Sequence, residues 1–137
     1  MPDFPESTIL QGPSSVRQPH VLLIEDDVAV RAATHLLLRV AGYQVSVAAC
    51  IAEATDHARQ HHDFEAVISD YHRSNNENGV AAIAAVRAIC GSGLSAILMS
   101  GDTGLLLTDA ERGSNTSISE KPTRVDEFLA LLPARQP

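Results

Sequence analysis

The sequence predicts an α/β fold, a doubly wound five-stranded parallel sheet with helices on both faces. Two observations carry this. The runs "HVLLI", "EAVISD" and "LSAILMS" are short and apolar almost end to end, as strands covered on both faces must be. Between them lie segments with apolar residues at helical spacing, closed by glycines, and strands that alternate with helices pair in parallel.

In order along the chain, residues 1–19, "MPDFPESTILQGPSSVRQP", hold four of the seven prolines and show no sustained period. They are expected to form a flexible tail or linker, leaving 20–137 as the folded domain. The first strand runs from His20 through "VLLI". In the helix that follows, "DVAVRAATHLLLRVAGY", Val30, Ala33, Leu37 and Ala41 fall at helical spacing and Gly42 is placed as its stop. "YQVSVAA" alternates as a second strand, and "IAEATDHARQHH" reads as a helix. "EAVISD" is the third strand, "GVAAIAAVRAIC" an Ala-rich helix ending at Gly91, and "LSAILMS" the fourth strand. A short helical stretch around "LLLTDAER", a polar strand "TSISE" and a last helix "RVDEFLALL" before Pro133 bring the total to five strands and five helices.

A length of 137 residues, 45% of them hydrophobic, suits one domain with a sizeable core and not two. The net charge of -7, with ten scattered Lys and Arg residues, argues against a nucleic-acid surface, which needs clustered cations. Cys50 and Cys90 lack zinc-type spacing and read as reduced thiols, which suits the cytoplasm. Neither a membrane span nor an export signal is indicated.

Ligands of such sheets bind outside the carboxyl ends of the strands. Glu25, Asp26 and Asp27 follow the first strand, Asp70 ends the third, Ser100 the fourth, and Lys121 with Pro122 follows the fifth. Adjacent carboxylates repel, and a hard dication offsets that repulsion. Magnesium takes oxygen ligands from one or two carboxylates, waters and phosphate oxygens. A carboxylate can also attack a phosphoryl donor to give an acyl phosphate, with a lysine ammonium and a serine hydroxyl available to phosphate oxygens. Asp27 stands where an N-cap for the first helix belongs, so capping is at least as good a role for it.

With "LLIEDD", "VISDY", "ILMSGD" and "EKP" in that order over residues 20–132, Ser100 thirty residues after Asp70 and Lys121 fifty-one after it, the sequence resembles the receiver domain of two-component response regulators. The resemblance implies a flavodoxin-like sheet of strand order 2-1-3-4-5, the order of the chemotaxis member of that family. It implies that Asp70 accepts a phosphoryl group from a histidine kinase or phosphotransfer protein. Mg2+ would then be held by Glu25, Asp26, Asp70 and the backbone carbonyl of His72. Ser100, Gly101 and Lys121 take the phosphate-binding and switch positions, and Lys121–Pro122 the place of a bond that is usually cis in the family. "DYHRSNNENG" and "MSGDT" look most like receivers at the C-termini of hybrid sensor kinases. Two departures stand out. Arg73 and Ser74 replace the usual apolar residue and proline, and "HRSNNENG" reaches Gly79 one residue late. Ile118 occupies the place of the switch aromatic.

The main alternative is a pseudo-receiver that docks proteins without being phosphorylated, although no acidic-pair residue, Asp70 or Lys121 is missing. An enzyme, an aspartyl phosphohydrolase, is not expected, because strand one gives "EDDV" and Asp70 is followed by Tyr71 and His72. A flavin site is disfavoured because the acidic triplet repels phosphate. His57, His61 and His62 have the spacing of a metal pair, but with no acidic or thiolate partner evident they read as a solvated helix face. His35 likewise reads as a surface residue. With five residues after Leu132, output is expected through a downstream protein or a fused parent chain.

Ile118 is β-branched and stiff at χ1, so it cannot alternate between positions as a long aromatic does. Phosphorylation is therefore expected to act mainly through the loops after strands three and four, with a weaker change on the strand-five face. Amide exchange with and without a phosphoryl mimic checks this. Larger protection changes around Ile118 and the last helix than in residues 71–79 and 101–112 would refute it.

Overall fold

In the computed structural model, which describes residues 18–71, 78–100, 115–120 and 125–133, all five residues of the first strand are buried. This strand, β1 (His20–Ile24), leads into α1 (Val28–Val40), β2 (Gln44–Ala48), α2 (Ile51–Gln60), β3 (Phe64–Asp70) and α3 (Gly79–Cys90). β4 (Ser95–Ser100), β5 (Thr116–Glu120) and α4 (Val125–Ala130) complete the described elements. Every strand pair is parallel and the order is β2-β1-β3-β4-β5, the expected 2-1-3-4-5. The helical stretch expected around "LLLTDAER" and the first 17 residues lie outside the described residues.

Because successive side chains of a strand point to opposite faces, the sheet divides one core into two. Leu22 and Ile24 of β1 pack with Val67, Leu98, Ala54 and Ala58 of α2, and Ala82, Ile83 and Val86 of α3. Val21 and Leu23 face the other way, with Ala66, Ile68, Ile97, Leu38 of α1 and Phe128 of α4. No described helix is long and apolar enough to cross a membrane.

Pro19, which the sequence places in the tail, is buried, and its carbonyl accepts from Gln44 N–H at 3.0 Å. At the far edge, the Arg87 guanidinium of α3 donates to the carbonyls of Leu94 and Asn115 and to Thr116 Oγ1, at 2.6–3.1 Å. It thereby joins the turns that lead into β4 and β5.

The inward face of α1 differs from the expected one. Val30 is 37% exposed and Ala33 is exposed, whereas Leu38 is fully buried, with Leu37 and Ala41 half-buried. The cause lies at the helix end. Gly42, at φ 104°, lets its N–H reach Arg39 O and the Tyr43 N–H reach Leu38 O, both at 3.1 Å. This pairing also brings together the side chains three residues inside and two beyond the cap, here Leu38 and Tyr43, which share one core. Tyr43 Oη then donates to Pro133 O at 2.8 Å, tying the end of α1 to the chain after α4. Leu38→Ala should cost about 2–5 kcal/mol of unfolding free energy and Val30→Ala well under that. Denaturant melts of the two variants check the assignment, and equal losses would restore the face centred on Val30.

Candidate functional site

The carboxyl ends of β1 and β3, neighbours in the sheet, bring three acidic side chains together. One carboxylate oxygen each from Glu25, Asp26 and Asp70 lies within 4.8 Å of the others. Glu25 is buried, 3% exposed, and Asp26 and Asp70 are half-buried. At that separation each like-charge pair costs on the order of 3 kcal/mol at an effective dielectric near 20.

Backbone hydrogen bonds hold these residues in place. Glu25 N–H extends the ladder to Ala48 O at 2.9 Å, Asp27 N–H donates to Glu25 Oε2 at 3.2 Å, and Arg31 of α1 donates to Glu25 O at 3.0 Å. Asp27 caps α1, accepting from Val30 N–H at 3.0 Å. On β3, Tyr71 N–H donates to Met99 O at 2.8 Å and Gly79 N–H to Tyr71 O at 2.9 Å. Gly79 admits no side chain here, since a Cβ would stand 2.5 Å from Asp70 O and 2.6 Å from Leu98 Cδ2. The start of α3, capped by Asn78 accepting from Ala81 N–H at 2.8 Å, is thus pressed directly against the end of β3.

Met99 is the register partner of Asp70, which places Ser100, fully buried, one residue further along the adjoining strand. Ser100 in turn is paired with Glu120, the residue before Lys121. His72, Gly101, Lys121 and Pro122 lie outside the described residues. Ile118 is partly buried, paired with Leu98 and packed against the α2–α3 side of the core. Oxygen-only donors, three anionic charges and partial solvent access fit a magnesium ion, and Glu25, Asp26 and Asp70 are the side chains that would hold it.

The opposite ends of the strands hold a group that the sequence reading missed. His20 Nδ1–H donates to Asp63 Oδ1 at 2.8 Å, and His20, His61 and Asp63 place ligand atoms within 4.8 Å of one another. The expectation that no acidic residue joins the histidines of α2 is corrected by Asp63, which the turn into β3 carries back to His61. The solvated face expected for these histidines is corrected as well, since His57 and His61 are half-buried and only His62 is exposed. His57 Nε2 lies 2.9 Å from Val47 O, and its ring stacks on His61 at 6.1 Å. His35 is half-buried, and its Nε2 is shut from solvent with no hydrogen-bond partner among the described residues.

No family model matches the chain, and no curated protein does. Solved structures do. A response regulator receiver protein from Sinorhizobium medicae is 18% identical, with a TM-score of 0.73 over 84% of this chain and 91% of that one. A response regulator receiver protein from Pseudomonas putida is 27% identical, with a TM-score of 0.67 over 83% and 94%. The receiver domain of the hybrid histidine kinase CckA is 24% identical, with a TM-score of 0.66 over 81% and 93%. The fold of this chain is the fold of those receiver domains.

If the three carboxylates form a dication site, millimolar Mg2+ stabilises the folded chain. A concentration ten times the dissociation constant contributes about 1.4 kcal/mol, a rise of roughly 5 °C in the thermal midpoint. Asp70→Asn, which removes two of the three pairwise repulsions, should melt above the wild type without magnesium and gain less from adding it. An unchanged wild-type midpoint at millimolar Mg2+ dissolves the site.

Proposed function

We propose that this chain is a phosphoacceptor module of two-component signalling, and not itself an enzyme. In this reading Asp70 takes a phosphoryl group from a histidine kinase or phosphotransfer protein. The new charge then alters a surface read by a downstream partner or a fused parent chain. The observation that carries it is the convergence of Glu25, Asp26 and Asp70 within 4.8 Å at the ends of two adjacent parallel strands. Likeness in fold to solved receiver domains supports it.

The chemistry asks little of the protein beyond position and charge. An Asp70 carboxylate oxygen attacks phosphorus, the bond from phosphorus to the donor nitrogen breaks, and the donor imidazole keeps that electron pair and takes up a proton. Magnesium, when bound, supplies charge neutralisation for the phosphoryl oxygens. Glu25, fixed at the end of β1 by bonds to Ala48 and from Arg31, and Asp26 beside it would hold the ion together with Asp70. Ser100, buried at the end of β4, has a rotatable hydroxyl for one phosphoryl oxygen, and Lys121 an ammonium for another.

Acetyl phosphate with millimolar Mg2+ should add one phosphoryl group per chain, read by intact mass, and Asp70→Asn should take none. Equal labelling of the variant would falsify Asp70 as acceptor. No labelling of the wild type would favour the docking module that binds without phosphate.

A further inference from the structure

The amino ends of the strands hold donors of a different chemical class. β1 places His20 about 16 Å from Glu25, at roughly 3.3 Å of rise per residue, so the two ends of the sheet are separate sites. His20 is fixed: it is 8% exposed, its ring lies 4.2 Å from that of Phe64, and its Nε2 is 2.8 Å from Ser46 Oγ. His61 and Asp63 are adjustable. His61 is the residue that ends α2, with extended backbone at φ -124° and ψ 130°, and the Asp63 side chain is 66% exposed. The two imidazoles meet edge to face at 5.2 Å.

We propose that His20, His61 and Asp63 form a second metal site, for a borderline transition-metal ion of the zinc class, at the end of the sheet opposite the carboxylate cluster. Two imidazoles and one carboxylate are a donor set that suits zinc and its neighbours, whereas magnesium selects oxygen alone. Ligand bonds of about 2.0–2.1 Å in a tetrahedral array put donor atoms roughly 3.3 Å apart. His20 Nδ1 and Asp63 Oδ1, now 2.8 Å apart, need part only slightly, and His61 closes from a position already within 4.8 Å.

The proton balance is simple. The neutral His20 ring moves its proton from Nδ1 to Nε2, Ser46 Oγ turns from donor to acceptor, and Nδ1 is released to the metal. Ser46 thereby becomes the outer partner that fixes the tautomer of a ligating histidine. Asp63 brings a carboxylate oxygen already turned towards His20 Nδ1, at 2.8 Å. His20, Ser46 and His61 line one open cleft with Arg39, which gives the ion a route in and leaves a fourth position to water or an anion.

The test is calorimetric titration of the full chain with Zn2+ in excess Mg2+, which competes for any oxygen-donor site at the carboxylate cluster and keeps the two sites distinguishable. One Zn2+ per chain is expected. His61→Ala and Asp63→Asn alter partly or mainly exposed side chains and should leave the metal-free melt near that of the wild type. Each should weaken binding by about tenfold or more, a loss of 1.4 kcal/mol or more. His62→Ala, at the exposed neighbour, should change affinity less than about threefold, a loss under 0.7 kcal/mol. Co2+ should give the visible absorption of a tetrahedral centre, lost in His61→Ala. Absence of a stoichiometric site, wild-type affinity in either ligand variant, or an equal loss in His62→Ala overturns the proposal. The phosphate-accepting reading stands or falls separately.

Discussion

Burial of β1 on both faces and both edges is the constraint on which the rest of the structure depends. It pairs with β2 on one side and β3 on the other, and its apolar residues feed both halves of the core. A charge inside such a strand would be desolvated without a partner at a cost of several kcal/mol. Its polar neighbours in sequence are therefore confined to its ends. Glu25 and Asp26 stand at one and His20 at the other, and each meets whatever the adjoining strand carries at the same level. Both candidate sites follow from this one exclusion.

The two ends then differ because their backbones differ. At the carboxyl ends the chain turns into helices whose first turns must be capped, and acidic and amide side chains serve there, with Asp27 on α1 and Asn78 on α3. At the amino ends the chain arrives from helix C-termini, where cationic and imidazole side chains are favoured by the helix dipole. α2 carries His57 and Arg59 in its last turn and His61 just beyond. Carboxylates alone collect at one end of the sheet, and imidazoles joined by one carboxylate at the other, so the two ends present different donor sets to a metal.

All five strands and the carboxylate cluster were legible in the sequence because each strand is a short run bounded by polar or turn residues, and the acidic residues follow those runs directly. The phase of α1 was not. Val28, Val30, Leu36, Leu37, Leu38 and Val40 spread apolar character around most of the helix, so periodicity alone had no single answer, and the cap at Gly42 decided it. His20 and Asp63 escaped notice because they are 43 residues apart and meet only through the register that sets His20 beside Phe64. The signal was present nonetheless. His20 opens the first strand and Asp63 immediately precedes the third, so adjacent parallel strands starting level place the histidine and the aspartate side by side.

Ile118 sits where the ends of the central strands are packed in one continuous contact. Leu98 is paired with Ile118, and two residues on Ser100 is paired with Glu120, so a movement of the Ser100 hydroxyl has the β5 backbone beside it. Leu98 Cδ2 is also the atom a Cβ on Gly79 would strike at 2.6 Å, which puts the start of α3, the end of β3 and the β4–β5 pair in one continuous contact. Ile118 packs into the same core as Leu98, and close-packed interiors transmit displacement instead of absorbing it. In such an arrangement a stiff β-branched side chain holds β5 to the core, and at the junction of Asp70, Tyr71 and Gly79 the start of α3 packs on the backbone that follows β3.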